Sequence, residues 1–144
     1  MIRIAKLMLA SVCLCGWFSL ANAQDVEPSD MVRAGLQALQ MVDQNKIGEI
    51  WDGGAVGARK KVTRANFIEQ VGKARSPLGA PQQRTWVAIN RQVLKDADAD
   101  LAGQYVSVEY ESRFANKPNA MVRELVSFHL DSDRVWRFSG YVLR

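Results

Sequence analysis

The chain has 144 residues, 48% of them apolar and 24% charged, and carries a formal net charge of +4. These proportions belong to an ordinary folded chain, and the length suits one domain. They exclude a multidomain machine, a collagen, a coiled coil, a polytopic membrane protein and an intrinsically disordered chain.

Residues 1–23 have the three parts of a secretory signal. Arg3 and Lys6 form a positive start, Leu7 to Leu20 an apolar stretch, and Ala21-Asn22-Ala23 a small-residue cleavage site before Gln24. The apolar stretch falls short of the roughly 20 residues that a membrane span needs. Cys13 follows Val12 and Cys15 follows Leu14, so neither has the small preceding residue of a lipidated cysteine. The expectation is therefore a periplasmic or secreted protein with no stable membrane anchor after cleavage, and residues 24–144 as a single domain. Both cysteines leave with the signal, which removes disulfides, thiol nucleophiles and cysteine metal sites from the mature chain. Loss of Arg3 and Lys6 also lowers the net charge from +4 to +2. That modest charge argues against nucleic acid as a partner.

Ser29 reads as a helix N-cap with Asp30 in the first turn. Val32, Leu36, Leu39 and Val42 then repeat at helical spacing, which predicts a helix over 30–44 stopped by Asn45. Ile47, Ile50 and Trp51 form a short helical patch ended by Gly53-Gly54. Residues 53–62 mix glycine with basic side chains, and Arg59-Lys60-Lys61 reads as a solvated loop entering the next helix. Thr63 caps a helix over 64–75 with Phe67, Ile68, Val71 and Ala74 on one face. Pro77, Gly79 and Pro81 stop it.

The hydrophobic period then changes from 3.6 to 2. Val87, Ile89 and Val93 alternate within 84–94; Val106, Val108, Tyr110 and Phe114 within 104–114; Val122, Val126, Phe128 and Leu130 within 120–130; Trp136 and Phe138 within 134–143. The links Asp96 to Asp100, Asn116 to Asn119 and Asp131 to Asp133 are rich in turn formers. Helices followed by four antiparallel strands predict an α+β fold, with the helices on one face of a curved sheet.

Several of these residues together resemble the DUF4019 family of small exported bacterial proteins. The matching features are Val42-Asp43, Ile50-Trp51, Ser76-Pro77-Leu78-Gly79 with Arg84, Gly103 with Tyr105, Phe114-Ala115-Asn116-Lys117, Glu124, and Trp136 with Gly140-Tyr141. Gly53-Gly54 and Gly57 loosen the segment after Trp51 relative to that pattern. The resemblance implies an NTF2-like or cystatin-like cone, with helices in the concave face of a bent sheet, and no assigned reaction.

Glu124 shares parity with Val122, Val126 and Phe128, so a carboxylate interrupts an apolar face. Such a group needs a cationic partner, and Arg84 and Arg91 in the first strand are the candidates. Glu124 is also the one candidate acid or base for catalysis. Trp51, Trp86, Trp136, Tyr105 and Tyr141 suit a core first and a pocket second. Of these, Tyr105, Trp136 and Tyr141 join Arg84 and Glu124 as ligand-binding candidates. His129 has the opposite parity to Phe128 and reads as a surface histidine; with no second histidine, no metal site is expected. Asp96, Asp98 and Asp100 alternate like calcium ligands but lack the glycine and final glutamate of an EF-hand, so they read as a solvated hairpin loop. No motif for a nucleotide, metal or other cofactor occurs. The function expected is a non-enzymatic exported module for a small molecule or an envelope protein. The alternative is an enzyme using Glu124 as acid or base in the sheet cavity.

Overall fold

The computed structural model describes residues 26–144; the signal reading for 1–23 lies outside the described residues. Helix α1 (Pro28–Asp43) starts two residues before the expected boundary. Pro28 explains this, because its fixed φ and missing N–H suit the first helical turn. Glu27 therefore holds the cap position, without a side-chain bond, and Ser29 lies inside the helix. Helix α1 ends in a Schellman motif: Lys46 N–H reaches Met41 C=O at 2.8 Å and Asn45 N–H reaches Val42 C=O at 3.0 Å. Asn45 takes the left-handed conformation this requires, with φ of 59°.

Helix α2 (Ile47–Asp52) follows directly. Residues Val56–Lys61 then form a short helix, α3, where a loose basic loop was expected. Two bonds from outside the segment supply what its own sequence lacks. Ala55 N–H donates to Phe138 C=O at 2.7 Å, and Val56 N–H to the Asp131 carboxylate at 3.2 Å. Helix α4 (Arg64–Arg75) is capped as expected, Thr63 Oγ1 accepting from Asn66 N–H at 3.2 Å. A 3-10 turn, Ser76–Leu78, and Gly79 at φ of 74° redirect the chain into the sheet.

Strands β1 (Pro81–Leu94), β2 (Gly103–Phe114), β3 (Lys117–Leu130) and β4 (Trp136–Leu143) form an antiparallel meander in the order β1-β2-β3-β4. The α+β expectation holds. The β2–β3 turn is shorter than expected, since only Ala115-Asn116 lies outside the strands. Both turn residues clamp the helix-to-sheet corner: Ala115 N–H binds Ala80 C=O at 2.9 Å, and Asn116 N–H binds Leu78 C=O at 3.0 Å. The Asn116 carboxamide adds a bond to Pro77 C=O at 3.1 Å. Two of the sequence features that carry the family resemblance thus meet in one contact.

The helix-facing side of the sheet is apolar. Met31, Ala38 and Leu39 of α1 pack on Val106, Val108, Tyr110, Val126 and Phe128. A second cluster joins Val42, Ile47, Ile50 and Val71, and Phe138 and Tyr141 pack against both clusters. Gly35 lets α1 approach the sheet, because a Cβ there would overlap the Tyr110 hydroxyl. That hydroxyl donates to Val32 C=O at 2.6 Å. The opposite face is polar, with Arg123 bridging Glu109 and Glu111 at 3.0 and 2.8 Å.

The alternation expected of β1 is only partly realised. Register slips between Trp86 and Ala88, which makes Val87 the extra residue of a bulge and reverses the parity beyond it. Ile89 packs on the core, whereas Val87 and Val93 are 39% and 73% exposed. A second slip, opposite Ser127 and Phe128, makes Ser139 the extra residue of β4. No helix among the described residues is long and apolar enough to cross a membrane.

Candidate functional site

Glu124 has no solvent exposure and lies on the helix-facing side of β3. Its Oε1 accepts from Arg84 Nε at 2.8 Å and from the Ser112 hydroxyl at 2.5 Å. Its Oε2 accepts from the Tyr141 hydroxyl at 2.6 Å. Arg84 continues the network, donating Nη1 and Nη2 to Asp43 at 2.9 and 3.2 Å. Asp43 also accepts from Arg75 Nη2 at 2.6 Å. The Arg75 guanidinium stacks 4.3 Å above the Phe114 ring, while its Nε and Nη1 are buried without hydrogen-bond partners among the described residues.

Two carboxylates and two guanidinium groups thus balance in a largely buried cluster. The cluster ties α1, α4 and all four strands together at one place. Burial opposes the charge on Arg84, but the bonds to Asp43 and Glu124 outweigh it and raise the pKa further. Burial, and then the nearby Glu124 charge, push the Tyr141 phenol well above its ordinary value. Tyr141 therefore remains a hydroxyl donor at any ordinary pH.

A cavity of about 470 Å3 opens beside this cluster. Its apolar wall is built from Trp51 of α2, Phe67 of α4, and Phe138 and Tyr141 of β4. Phe67 and Phe138 meet edge to face at 5.8 Å, and Trp51 is fixed by its indole N–H on Val62 C=O at 2.8 Å. Helix α3 and the β1–β2 loop complete the rim, bringing Arg59, Lys61, Lys95, Asp96 and Asp100 to the opening.

The five site residues expected from sequence divide between these features. Arg84, Glu124 and Tyr141 come together in the network. Tyr141 and Tyr105 line the cavity, whereas Glu124 and Arg84 do not. Trp136 packs on the α1 cluster, away from the cavity, with its indole N–H buried and without a partner among the described residues. Of the two arginines expected to neutralise Glu124, Arg84 does so; Arg91 instead binds Val26 C=O at 2.6 Å.

His129 corrects the sequence reading. It is only 2% exposed, because the β1–β2 loop folds over this part of the outer face. Its Nδ1 lies 2.7 Å from Asp131 Oδ1 and its Nε2 2.8 Å from Ala102 C=O, with the Tyr105 ring 4.6 Å away. Each ring nitrogen thus has a polar partner, with the donor and acceptor roles set by the tautomer. Asp131 also accepts from Arg137 at 3.1 Å and from Val56 N–H, so this unit anchors α3 against the sheet.

The basic run missed as a structural element is positioned by the same contacts. Lys60 pairs with Asp100 and, at 3.6 Å, with Asp98, and Arg64 binds Asp52 at 2.9 and 3.1 Å. Arg59 lies 6.0 Å from the Trp51 ring centroid. The acidic loop is thus a docking partner for α3 instead of a freely solvated hairpin. Gly57 permits that docking, since a Cβ there would overlap Asp100 C=O.

The family model described as protein of unknown function, DUF4019, matches residues 34–141. The comparison with curated proteins returned no match.

Proposed function

The chain belongs to the DUF4019 family, and we propose that it is an exported, non-enzymatic module that holds a small ligand in the cavity beside Trp51. The observation that carries this reading is the cavity itself. At about 470 Å3, it lies within the roughly 300–1,000 Å3 typical of small-molecule sites. Its aromatic wall and few charged rim groups are the composition such sites share. Export is supported by the signal features of residues 1–23. The NTF2-like or cystatin-like cone belongs to the same proposal, supported by helices laid on one face of a bulged four-strand meander.

The geometry lends the enzymatic alternative little support. Glu124 is engaged by three donors and sits behind Tyr141, so its carboxylate does not meet the cavity. A second binding reading is a protein partner along β1. It is favoured by the exposure of Trp86, Val87, Val93 and Leu94 on a strand whose outer edge is unpaired among the described residues.

The test of the cavity reading is a fluorescence titration with N-phenyl-1-naphthylamine, a neutral apolar probe. Saturable one-to-one binding that is lost in Ala58→Phe, which fills the cavity from α3, supports it. Absence of saturable binding, or binding unchanged in the variant, overturns it.

A further inference from the structure

We infer that the cavity takes a small amphiphile with an anionic head group and an apolar body. This rests on the cavity being the binding site, and it adds the chemical class of the occupant. The inner wall is apolar, formed by Trp51, Phe67, Phe138 and Tyr141. Tyr141 cannot donate its hydroxyl hydrogen to a ligand without releasing Glu124, to which it donates at 2.6 Å. Recognition by formal charge therefore falls to the rim.

The rim has a cationic excess. Arg59, Lys61 and Lys95 line the opening against Asp96 and Asp100. Lys60, which does not line the cavity, turns its ammonium onto Asp100 and neutralises it. Asp96 is partly occupied too, its Oδ1 accepting from Asp98 N–H at 2.9 Å. Among the described residues Lys61 and Lys95 make no hydrogen bond or ion pair, Lys61 feeling only the Asp98 charge at longer range, and Arg59 has the Trp51 ring and the more distant Asp52 charge. Arg64, the fourth positive group of the run, is held away by Asp52. The basic run is thus sorted by its partners: two members are spent on structural pairs, and two remain at the opening. Apolar body inside, negative head at the rim, is the ligand orientation that this charge pattern favours.

Displacement of N-phenyl-1-naphthylamine by octanoate, octan-1-ol and octylammonium reads this directly. Octanoate is expected to bind about tenfold more tightly than octan-1-ol at low salt, with octylammonium weakest. The preference should shrink in 1 M salt, where the screening length falls to about 3 Å. Lys61→Gln combined with Lys95→Gln should reduce the preference for acid over alcohol, with Arg59 retaining the remainder. Equal binding of acid and alcohol by the unmodified chain overturns the anionic class but leaves the cavity reading standing, as does a preference undiminished by the double substitution. If none of the three displaces a bound probe, the anionic class falls; if the probe itself does not bind, both readings fall.

Discussion

Tyr141 joins the two features of the molecule: its hydroxyl donates to Glu124 Oε2 across 2.6 Å while its ring forms part of the cavity wall. The buried charge network therefore sets the position of a surface that a ligand would touch. Glu124, in turn, is a positioning residue for that wall, held by donors from β1, β2 and β4.

Removing the acid exposes what the network contributes. Glu124→Ala should lower the free energy of unfolding by about 3–5 kcal/mol, because Arg84 loses one of its two carboxylate partners in a buried setting. Glu124→Gln should cost less, since the amide oxygen can still accept a bond. Urea unfolding measures both, and an unchanged midpoint for the alanine variant would contradict the buried pair.

The tyrosines give a pH dependence with a definite sign. Burial raises the pKa values of Tyr110 and Tyr141 above the ordinary value of 10.0. Below about pH 10 both states are protonated and the full contribution to stability is present. Above it the unfolded chain releases these protons while the folded chain keeps them, so stability falls as pH rises. The expected slope is about 1.4 kcal/mol per pH unit for each tyrosine. Urea midpoints followed from about pH 9 to 11 should therefore decline less steeply in Tyr141→Phe than in the parent chain. Parallel curves would show that Tyr141 ionises in the folded protein.

Two glycines that look alike in sequence should respond oppositely to alanine. Gly57→Ala places a methyl group against Asp100 C=O and Leu101, so the β1–β2 loop must lift from α3. Trypsin cleavage after Lys95 should accelerate and the melting temperature should fall. Gly72→Ala in α4 meets nothing within 4 Å. It should raise stability by up to about 1 kcal/mol through helix propensity. Equal cleavage rates in Gly57→Ala and the parent would contradict tight docking of the loop.

Trp136→Phe and Tyr141→Phe form a contrasting pair. The Trp136 indole N–H is buried without a partner among the described residues, so its loss should change stability by less than about 1 kcal/mol. Tyr141→Phe leaves Glu124 Oε2 without its donor and should cost about 1–3 kcal/mol. Equal unfolding midpoints for the two variants would contradict the assigned hydrogen bonds.

Much of this arrangement is legible in residue order. The Thr63 cap, the Asn45 stop and the four strands follow from local chemistry, and the parity of β3 places Glu124 inside, with Arg84 and Arg91 as alternative partners. What escaped local reading depends on distant contacts. Helix α3 is held by Phe138 and Asp131, residues more than a hundred positions into the chain, so its own Gly-rich and basic sequence carries no helical pattern. His129 obeys strand parity and faces the outer side, but the loop around Leu101 covers it. The bulge at Val87 breaks the period on which the β1 core assignment relied. Tyr105 and Trp136 belong to different environments because aromatic type alone does not distinguish a cavity wall from a core.

The most direct test of the cavity as the binding surface is 19F NMR of residues 24–144 carrying 5-fluorotryptophan, titrated with N-phenyl-1-naphthylamine. The resonances of Trp51, Trp86 and Trp136 separate the cavity, the exposed β1 strand and the α1 cluster. A saturable shift at Trp51, with Trp86 and Trp136 unmoved, is the predicted result. A shift at Trp86 with Trp51 silent would move the binding surface to β1 and contradict the account.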